Sequence, residues 1–523
     1  MSHEPTSPNG VPGIDGSPMV LGDLRGVGPL VLAVDQSTSA TKAIAFDAGA
    51  RIAAQASFEH RQIYPRPGWV EHDPEELYAN TIRSIRSVVA KLGPDAKRLA
   101  ALAITNQRET AVVWSRTTGR AVANAVVWQC GRGAELCRAL SESGREEMVR
   151  AKSGLRLDPY FSASKIAWIL ENVPQAREEA RGGRLAFGTI DSWLVYRLTG
   201  GSVHATDLSN ASRTLLFNLE RLDWDDELLE LFRIPRSMAP SLRRADERFG
   251  TTSAEGALPG ELPICGVLGD SHAALFAQRC FRRGEAKATY GTGSSIMMNI
   301  GSSPLPAGRS VVTSVGWGLR GRVDYVFEGN IHSTGDTIRW LVDGLGLLPD
   351  SASSEAAARS VTDSEGVYLV PGFSGLGAPY WDSQARASIL GLSRGSTKAH
   401  VVRAALESIA FQVCDLVAAM GAESGIPLAT LRVDGGATRN DLLMQMQADF
   451  LGAPVIRTGI AEASALGAAL AAGLSIGLYG DLGEIERLPS GSTTFEPRLS
   501  AQRRSALLAG WHEAVRRTLS GRG

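Results

Sequence analysis

Three things are scarce in this sequence, and each absence excludes a class of protein. Cysteine occurs only five times in 523 residues, an odd count with no Cys-x-x-Cys pair, so a disulfide framework is not expected. No apolar run reaches the roughly 18 residues that a membrane span needs. Charge of one sign is not in excess either, because 54 basic residues face 55 acidic ones. We therefore predict a cytoplasmic protein with no membrane insertion and no nucleic-acid partner.

The length predicts two large domains, because a single hydrophobic core rarely serves 523 residues. Residues 1–28 are rich in Pro, Gly and Ser and lack an apolar period, which indicates a disordered tail. Strand-like and helical patterns alternate after residue 29 and again after residue 284, with a boundary near residues 275–285. The predicted class is α/β, with domains at residues 29–277 and 278–523.

Several segments have patterns clear enough to assign locally. Apolar runs at residues 99–105, 111–114 and 431–434 predict strands. Amphipathic or apolar periodicity predicts helices over residues 74–92, with Asp73 as the cap, and over residues 398–421. The strand at 431–434 meets Gly435 and Gly436 and is followed by a helix over residues 440–451, an arrangement that suits a nucleotide.

Two turns rich in Gly, Ser and Thr lie about half a chain apart, at residues 31–47 and 288–300, each between strand-like runs. A tight turn with small hydroxyl residues offers backbone N–H groups and hydroxyls to a phosphate. Either turn alone is more often an ordinary hairpin. The pair suggests a duplicated fold that closes on one nucleotide, with Asp35 at the end of the first strand placed to hold Mg²⁺.

Asp270 follows an apolar strand and opens an Ala-rich helix, where open α/β folds place their active sites. It can act as the base that accepts a proton from an alcohol, or simply cap the helix. Arg108 and Glu109 sit between two apolar runs and can read vicinal hydroxyls, or be solvated charges of a turn. Trp128 can wall a pocket or belong to the core, and Tyr160 lies on a Pro-marked turn.

Together these residues resemble the FGGY carbohydrate kinases, most closely the glycerol kinases, from residue 30 to about 515. The resemblance is carried by long runs at residues 62–74, 104–110, 157–162, 210–218 and 375–382. It implies two actin-like (ribonuclease-H-like) domains flanking a catalytic cleft, with ATP and Mg²⁺ as cofactors and a small polyol as substrate. It also implies a homo-oligomer, a dimer or a tetramer.

The resemblance assigns roles residue by residue. The catalytic base is Asp270. The polyol contacts fall on Arg108, Glu109 and Tyr160, with Trp128 and Ser271 also in the substrate set, while the phosphate contacts fall on Thr38, Ser39, Lys42, Thr292 and Gly335. The adenosine contacts fall on Gly436 and Asn440, and the Mg²⁺ contact falls on Asp35.

Departures from the resemblance cluster around the substrate. Ser271 replaces a usual Gln, Ser295 a Phe and Gly131 an Arg, and a small apolar stretch now contains Asn330 and His332. A roomier and more polar pocket suits a four- or five-carbon polyol as well as glycerol. The predicted reaction is ATP-dependent phosphorylation of a primary hydroxyl, with glycerol as the first candidate. A C4–C5 polyol or a ketose is the alternative, and a non-catalytic actin- or Hsp70-like nucleotide clamp is the alternative of another class.

Overall fold

Two mixed sheets, one in each half of the chain, organise the computed structural model, which describes residues 28–305, 308 and 310–521. The strands of the N-terminal half are β1 (Leu30–Gln36), β2 (Ala40–Phe46), β3 (Ile52–Glu59), β4 (Glu71–His72), β5 (Leu99–Asn106), β6 (Val112–Ser115), β7 (Ala125–Val126), β8 (Leu185–Gly188), β9 (Ala205–Asp207), β10 (Phe217–Asn218), β11 (Asp223–Trp224), β12 (Ser241–Arg243), β13 (Thr251–Thr252) and β14 (Leu262–Gly269). Those of the C-terminal half are β15 (Glu285–Tyr290), β16 (Ser294–Gly301), β17 (Val312–Leu319), β18 (Arg322–Ile331), β19 (Tyr368–Val370), β20 (Ser388–Leu390), β21 (Thr430–Asp434), β22 (Val455–Arg457) and β23 (Thr493–Phe495). The first sheet has six strands in the order β13-β14-β5-β1-β2-β3, and the second has seven in the order β17-β18-β16-β15-β21-β22-β23.

Helices pack around both sheets. In the N-terminal half they are α1 (Pro74–Leu92), α2 (Ala134–Glu142), α3 (Glu146–Ser153), α4 (Ser162–Asn172), α5 (Ala176–Arg181), α6 (Ile190–Leu198), α7 (Leu208–Ala211), α8 (Asp226–Leu231) and α9 (Asp270–Ala277). In the C-terminal half they are α10 (Gly335–Asp343), α11 (Ser354–Arg359), α12 (Lys398–Ser424), α13 (Asp441–Leu451), α14 (Ala463–Ser475), α15 (Leu482–Glu486) and α16 (Ala501–Thr518). Among the helices that the structure describes, none is long and apolar enough to cross a membrane.

The two sheets repeat one pattern of strand pairing. In the first, the antiparallel hairpin β1–β2 continues through β1 into the parallel neighbours β5 and β14. In the second, the antiparallel hairpin β15–β16 continues through β15 into the parallel neighbours β21 and β22. Each half therefore carries one tight turn at the same place in its sheet, as the paired turn motifs predict.

The halves share their cores. Helix α14 of the C-terminal half buries its apolar residues against α9, β14 and β5 of the N-terminal half, in one cluster with residues such as Leu268 and Phe276. A second cluster joins residues of the region 111–239 to the sheet and helices of the C-terminal half. This packing brings the turn of each sheet to a common cleft.

The local predictions for the clearest segments are confirmed. Helix α1 has the predicted bounds, and the carboxylate of Asp73 accepts a hydrogen bond from the backbone of Glu75 at 2.9 Å. Helix α12 begins at Lys398 as predicted and runs three residues further than expected. Strand β21 is one residue longer, and α13 begins one residue later because Asn440 is its cap. All five cysteines are buried free thiols. The predicted tail, residues 1–28, lies outside the described residues except for Gly28.

Candidate active site

A cavity of about 720 Å³ lies in the cleft, and both halves of the chain line it. The sequence-predicted residues on its wall are Thr38, Arg108, Glu109, Trp128, Tyr160, Asp270 and Ser271. The C-terminal half contributes Gly291 and Gly293 of the second turn. The structure thus gathers onto one surface the predicted base, the predicted polyol contacts and parts of both phosphate turns.

Arg108 and Glu109 follow β5 in a very tight turn. The backbone N–H of Thr110 donates to the carbonyl of Arg108 at 2.8 Å, and Glu109 adopts φ 62°, a conformation that costs a non-glycine residue of order 1 kcal/mol or more. The side chains of Arg108 and Glu109 are only 6% and 1% exposed. The alternative that these charges are merely solvated is therefore wrong, because the fold buries them.

A chain of buried charges fixes this turn. The Arg108 guanidinium donates two hydrogen bonds to Glu328 of β18, at 2.8 and 2.9 Å. Glu328 also lies 2.9 Å from a terminal nitrogen of Arg213, and Arg213 donates through Nε to Glu109 at 2.6 Å. At the other end, Arg108 Nε lies 3.1 Å from Oδ1 of Asp270. The order is Glu109, Arg213, Glu328, Arg108 and Asp270.

The electrostatics of this chain follow from burial and pairing. The two guanidinium groups hold the pKa of Glu328 far below its ordinary value, against the opposing effect of burial. Burial raises the pKa of Glu109, although Arg213 and Arg108 oppose the shift. Burial, reinforced by Glu109, also raises the pKa of Tyr160, so its phenol stays protonated and able to donate. The site therefore presents buried donors and acceptors whose orientation is fixed by ion pairs.

Asp270 is the first residue of α9, and Gly269 occupies the cap position. The alternative that Asp270 caps the helix is therefore wrong. Its Oδ1 accepts from the backbone N–H of Ser271 at 2.6 Å and carries the ion pair with Arg108. Oδ2 makes no hydrogen bond to any residue that the structure describes, and the side chain is 34% exposed to the cavity.

Trp128 and Tyr160 form one wall of the cavity. Their rings contact edge to face with centroids 5.5 Å apart. The loop of Tyr160 is held by the buried ammonium of Lys165, which donates to the carbonyls of residues 159, 160 and 161 at 2.5 to 3.0 Å. The alternative that Trp128 is core holds only in part, because the residue is half-buried and lines the cavity.

The first turn is tied to this wall. The indole of Trp128 donates to Thr38 Oγ1 at 2.9 Å. The carbonyl of Thr38 receives the amide of Gln62 at 2.6 Å and lies 2.8 Å from a ring nitrogen of His60. His72 completes the network by contacting Gln62 at 2.9 Å. These hydrogen bonds fix the turn at Thr38, whereas the neighbouring Ser39 is exposed.

Asp35 and Lys42 face each other at the base of the same hairpin. Asp35 is 7% exposed, its Oδ1 is buried without a hydrogen-bond partner among the described residues, and burial followed by the charge of Asp270 raises its pKa to about 7. The ammonium of Lys42 is bound to Glu462 of the other half at 2.7 and 2.9 Å. An orphaned buried carboxylate oxygen is a fitting ligand for a divalent cation.

The second turn is closed by the start of α10. The N–H of Gly335 donates to the carbonyl of Gly291 at 3.0 Å, and that of Thr334 donates to the carbonyl of Thr292 at 2.9 Å. A Cβ on Gly335 would stand 2.5 Å from the Gly291 oxygen, so only glycine fits there. Thr292 and Gly335 are therefore neighbours at a helix N-terminus, where anions bind well.

Gly436 and Asn440 lie further along the second sheet. Gly436 follows β21 and has open space where a Cβ would stand. Asn440 caps α13, its Oδ1 accepting from Leu443 N at 2.9 Å, so part of its side chain is already used. Neither residue lines the cavity of Asp270, and the same holds for Asp35, Ser39, Lys42, Thr292 and Gly335.

Most of the residues that depart from the resemblance line the same cavity as the predicted polyol contacts. Ser271, Ser295, Asn330 and His332 line the cavity, whereas Gly131 does not. The hydroxyl of Ser295 is buried without a hydrogen-bond partner among the described residues. Burial lowers the pKa of His332, so the ring stays neutral and can donate or accept.

Comparison with known proteins agrees with this geometry. Residues 30–277 match the N-terminal domain, and residues 286–476 the C-terminal domain, of the FGGY family of carbohydrate kinases. The chain belongs to this family. The predicted family, the two-domain actin-like α/β fold class and an enzymatic rather than clamp-like nature are thereby confirmed. The domain boundaries, the cytoplasmic location and the homo-oligomer stay predictions.

Individual relatives span nearly the whole chain. Glycerol kinase 1 of Thermotoga maritima is 51% identical over 94% of this chain and 99% of its own length. Glycerol kinase of Paraburkholderia phytofirmans is 49% identical over 93% and 97%. The crystal structure of Plasmodium falciparum glycerol kinase with ADP superposes with a TM-score of 0.90 at 33% identity, covering 94% of this chain and 98% of that one.

Three residues of the site were missed from the sequence. Arg213 lay inside a run used only for the resemblance, and Glu328 and Lys287 each lay between two uncharged neighbours in a strand-like run. A charged residue between uncharged neighbours in a strand is a usable signal, because such a residue is rarely buried without a partner or a function.

Proposed function

We propose that this protein transfers the γ-phosphoryl group of ATP to a primary hydroxyl of glycerol and forms glycerol 3-phosphate. The observation that carries the proposal is the buried charge chain, which holds a hydrogen-bond donor, Arg108, and an acceptor, Glu109, beside the carboxylate of Asp270. Relatives that bear the name glycerol kinase, at about 50% identity over more than 90% of the chain, support the choice of acceptor.

The acceptor polyol binds through matched polar groups. Arg108 donates to one hydroxyl and Glu109 accepts from its neighbour, so vicinal hydroxyls are recognised as a pair. Trp128 and Tyr160 pack against the carbon chain, and Ser271 closes the side near the reacting end. Because the charges are already oriented by Arg213 and Glu328, binding requires little reorganisation of the protein.

Asp270 acts as the general base. Since its Oδ1 is engaged by Arg108 and by Ser271 N–H, Oδ2 is the oxygen that takes the proton from the primary hydroxyl. The acceptor oxygen forms a bond to the γ-phosphorus, the bond between that phosphorus and the bridging oxygen breaks, and ADP leaves with the electron pair. The products are a phosphomonoester, ADP and one proton.

The nucleotide lies across the two turns. Thr38, Ser39 and Lys42 contact the phosphates from one side, and Thr292 and Gly335 contact them from the other. Gly436 leaves room for the adenosine, and Asn440 contacts it. Lys42 must exchange Glu462 for a phosphate oxygen, which costs little because the pair is about 30% exposed on both sides.

Asp35 would hold Mg²⁺. Its unpartnered, buried Oδ1 fits a hard cation, and Mg²⁺ in phosphoryl-transfer sites is commonly held by one or two carboxylates together with the substrate phosphates. No cluster of three or more His, Cys, Asp or Glu side chains that could hold a metal ion occurs in the described part of the chain. When bound, the cation would supply positive charge that offsets the charge of the nucleotide phosphates.

A four- or five-carbon polyol is the second candidate acceptor. The wall beyond the hydroxyl-reading groups is polar, with Ser271, Asn330 and His332 on the cavity and a Ser295 hydroxyl that has no partner. One extra carbon changes the free energy by which a pocket discriminates between two substrates by only about 1–3 kcal/mol. We therefore expect the enzyme to accept several polyols rather than one exclusively.

A coupled ADP-release screen tests both candidates with glycerol, erythritol, threitol, ribitol, xylitol and common ketoses. We expect the highest kcat/KM for glycerol and, for at least one tetritol, a value within about two orders of magnitude of it. The double variant Ser271→Gln with Ser295→Phe should narrow the preference towards glycerol. If glycerol is not phosphorylated, the first candidate is wrong. If no tetritol or pentitol is phosphorylated, the second candidate is wrong.

A further inference from the structure

Lys287 is a buried cation in the cleft that no step above uses. Strand alternation places Glu285, Lys287 and Thr289 of β15 on one face of the second sheet. Lys287 is 2% exposed, and both it and Thr289 line the cavity that contains Asp270. Among the described residues its ammonium makes one hydrogen bond, to Thr289 Oγ1 at 3.1 Å. Two of its three N–H donors are therefore available.

The surroundings of Lys287 are rich in carboxylates that do not bind it directly. Asp434 on the neighbouring strand, Glu328 and Asp270 favour its charged form, whereas burial, which is the largest effect, and Arg108 lower its pKa. None of these carboxylates lies within ion-pairing distance of the ammonium in the described structure. A buried ammonium with unused donors is costly unless a ligand completes its bonds.

The other cations on the cavity wall already have acidic or aromatic partners. Arg108 and Arg213 are bound to Glu328 and Glu109, and Arg156 stacks on the ring of Trp381 at 4.4 Å, which occupies its face but not its N–H donors. The four cations of this wall are balanced by four carboxylates, so no positive charge is in excess where a triphosphate must enter. Among the described cations of the wall, Lys287 is the buried one with neither an ion pair nor a stacking partner.

We propose that Lys287 Nζ donates a hydrogen bond to the phosphoryl group in transfer, on the γ-phosphate of ATP before the reaction and on the phosphomonoester after it. The inference rests on the kinase reaction proposed above but not on which polyol accepts the phosphate. A Lys287 contact should strengthen the binding of ATP but not of ADP, because ADP lacks the phosphate group that Lys287 contacts.

The test compares two nucleotides on the full-length Lys287→Met variant. Titration calorimetry with Mg·ADP and with the β,γ-imido analogue of ATP measures the two affinities. A charge-assisted hydrogen bond predicts a loss of about ten- to hundredfold for the imido analogue, with ADP within about threefold of the wild type. With the best acceptor of the screen, kcat should fall about 10²–10³-fold, as when one transition-state donor is removed.

Arg432→Met is the matched control. Arg432 pairs with Lys287 in the strand register, lies on the same face of the sheet and does not line the cavity. This variant should leave the affinity ratio of the two nucleotides unchanged. Lys287→Arg, which keeps the charge, should recover at least a tenth of the wild-type preference for the imido analogue.

Equal weakening of both nucleotides in Lys287→Met, or a kcat within threefold of the wild type, would overturn the proposal. If Lys287→Met does not fold, the same titrations on Lys287→Gln test the proposal by the same criteria. An enzyme that fails on glycerol but keeps the nucleotide discrimination would refute only the proposed acceptor, so the two failures are distinguishable.

Discussion

Replacement of Glu328 by Gln removes the charge at the centre of the buried chain while keeping nearly the same volume. Glu328 is 1% exposed and binds Arg108 through both carboxylate oxygens, with Arg213 2.9 Å away. A glutamine places an NH₂ group where one oxygen stood, so it faces a guanidinium with a donor. Two buried guanidinium groups then share Glu109 and the partly exposed Asp270.

The magnitude follows from the cost of breaking a buried ion pair, about 3–5 kcal/mol when one partner is lost. Part of this cost lowers stability, and part appears as misplacement of Arg108. If misplacement accounts for about 3–4 kcal/mol, kcat/KM for the acceptor falls about 10²–10³-fold, since each 1.4 kcal/mol is one decade. The shorter Glu328→Asp keeps the charge but loses the two-point fit, so an intermediate loss is expected.

Steady-state kinetics with both substrates locate the effect, and thermal unfolding monitors the fold. The KM for the polyol should rise more than the KM for ATP, because Arg108 is proposed to bind the acceptor and not the nucleotide. A general loosening of the protein would move both constants alike.

Glu407→Gln serves as the control. Glu407 is 3% exposed and pairs with Arg403 at 3.0 Å on α12, and it does not line the cavity. This variant should lose stability but keep kcat/KM per folded molecule. The reasoning is refuted if Glu328→Gln stays within threefold of wild-type kcat/KM, or if it loses activity only in proportion to its folded fraction, as Glu407→Gln would.

Three further outcomes are expected. Asp270→Asn should lower kcat at least 10²-fold while the Kd for glycerol changes less than about fivefold, and retention of a tenth of the activity would contradict its role as base. Asp35→Asn should raise the Mg²⁺ concentration for half-maximal rate at least tenfold, and an unchanged Mg²⁺ titration would remove Asp35 from the metal site. Burial lowers the pKa of His72 to about 3, so its stabilising effect is present above the unfolded pKa of about 6.5 and is lost as the pH falls towards 3. His72→Gln should therefore show a smaller drop in unfolding free energy between pH 7 and pH 5, by up to about 2 kcal/mol, in denaturant titrations at both pH values.

The sequence was informative where structure is decided locally. The cap at Asp73, the long period of α12 and the small residues of the two turns depend on neighbours within a few positions, and they lie where predicted. The first sheet also brought Asp270 and Arg108 together as the resemblance implied, because parallel strands β5 and β14 end side by side.

Local sequence patterns did not predict the burial of charged residues whose ion-pair partners are distant in the sequence. Glu109 meets Arg213 104 positions away, and Arg108 meets Glu328 220 positions away. A short window shows only charged residues in a turn, for which solvation is the default interpretation. The same limit applies to Asp270, whose local position favours a helix cap although its partner Arg108 is far off in the chain.

The ion pairs that join the two halves of the chain differ in how deeply they are buried, and we expect them to play different parts in the proposed reaction. Arg108–Glu328 joins the two halves of the chain with side chains 6% and 1% exposed, so breaking it in each turnover would be expensive. Lys42–Glu462 joins the same halves with side chains 32% and 27% exposed, so water and salt screen it and exchange for a phosphate is cheap. In the proposed reaction we therefore expect the buried pair to keep Arg108 oriented throughout the cycle and the exposed pair to open when the nucleotide binds. It follows that added salt should weaken the Lys42–Glu462 contact first and leave recognition of the acceptor nearly unchanged.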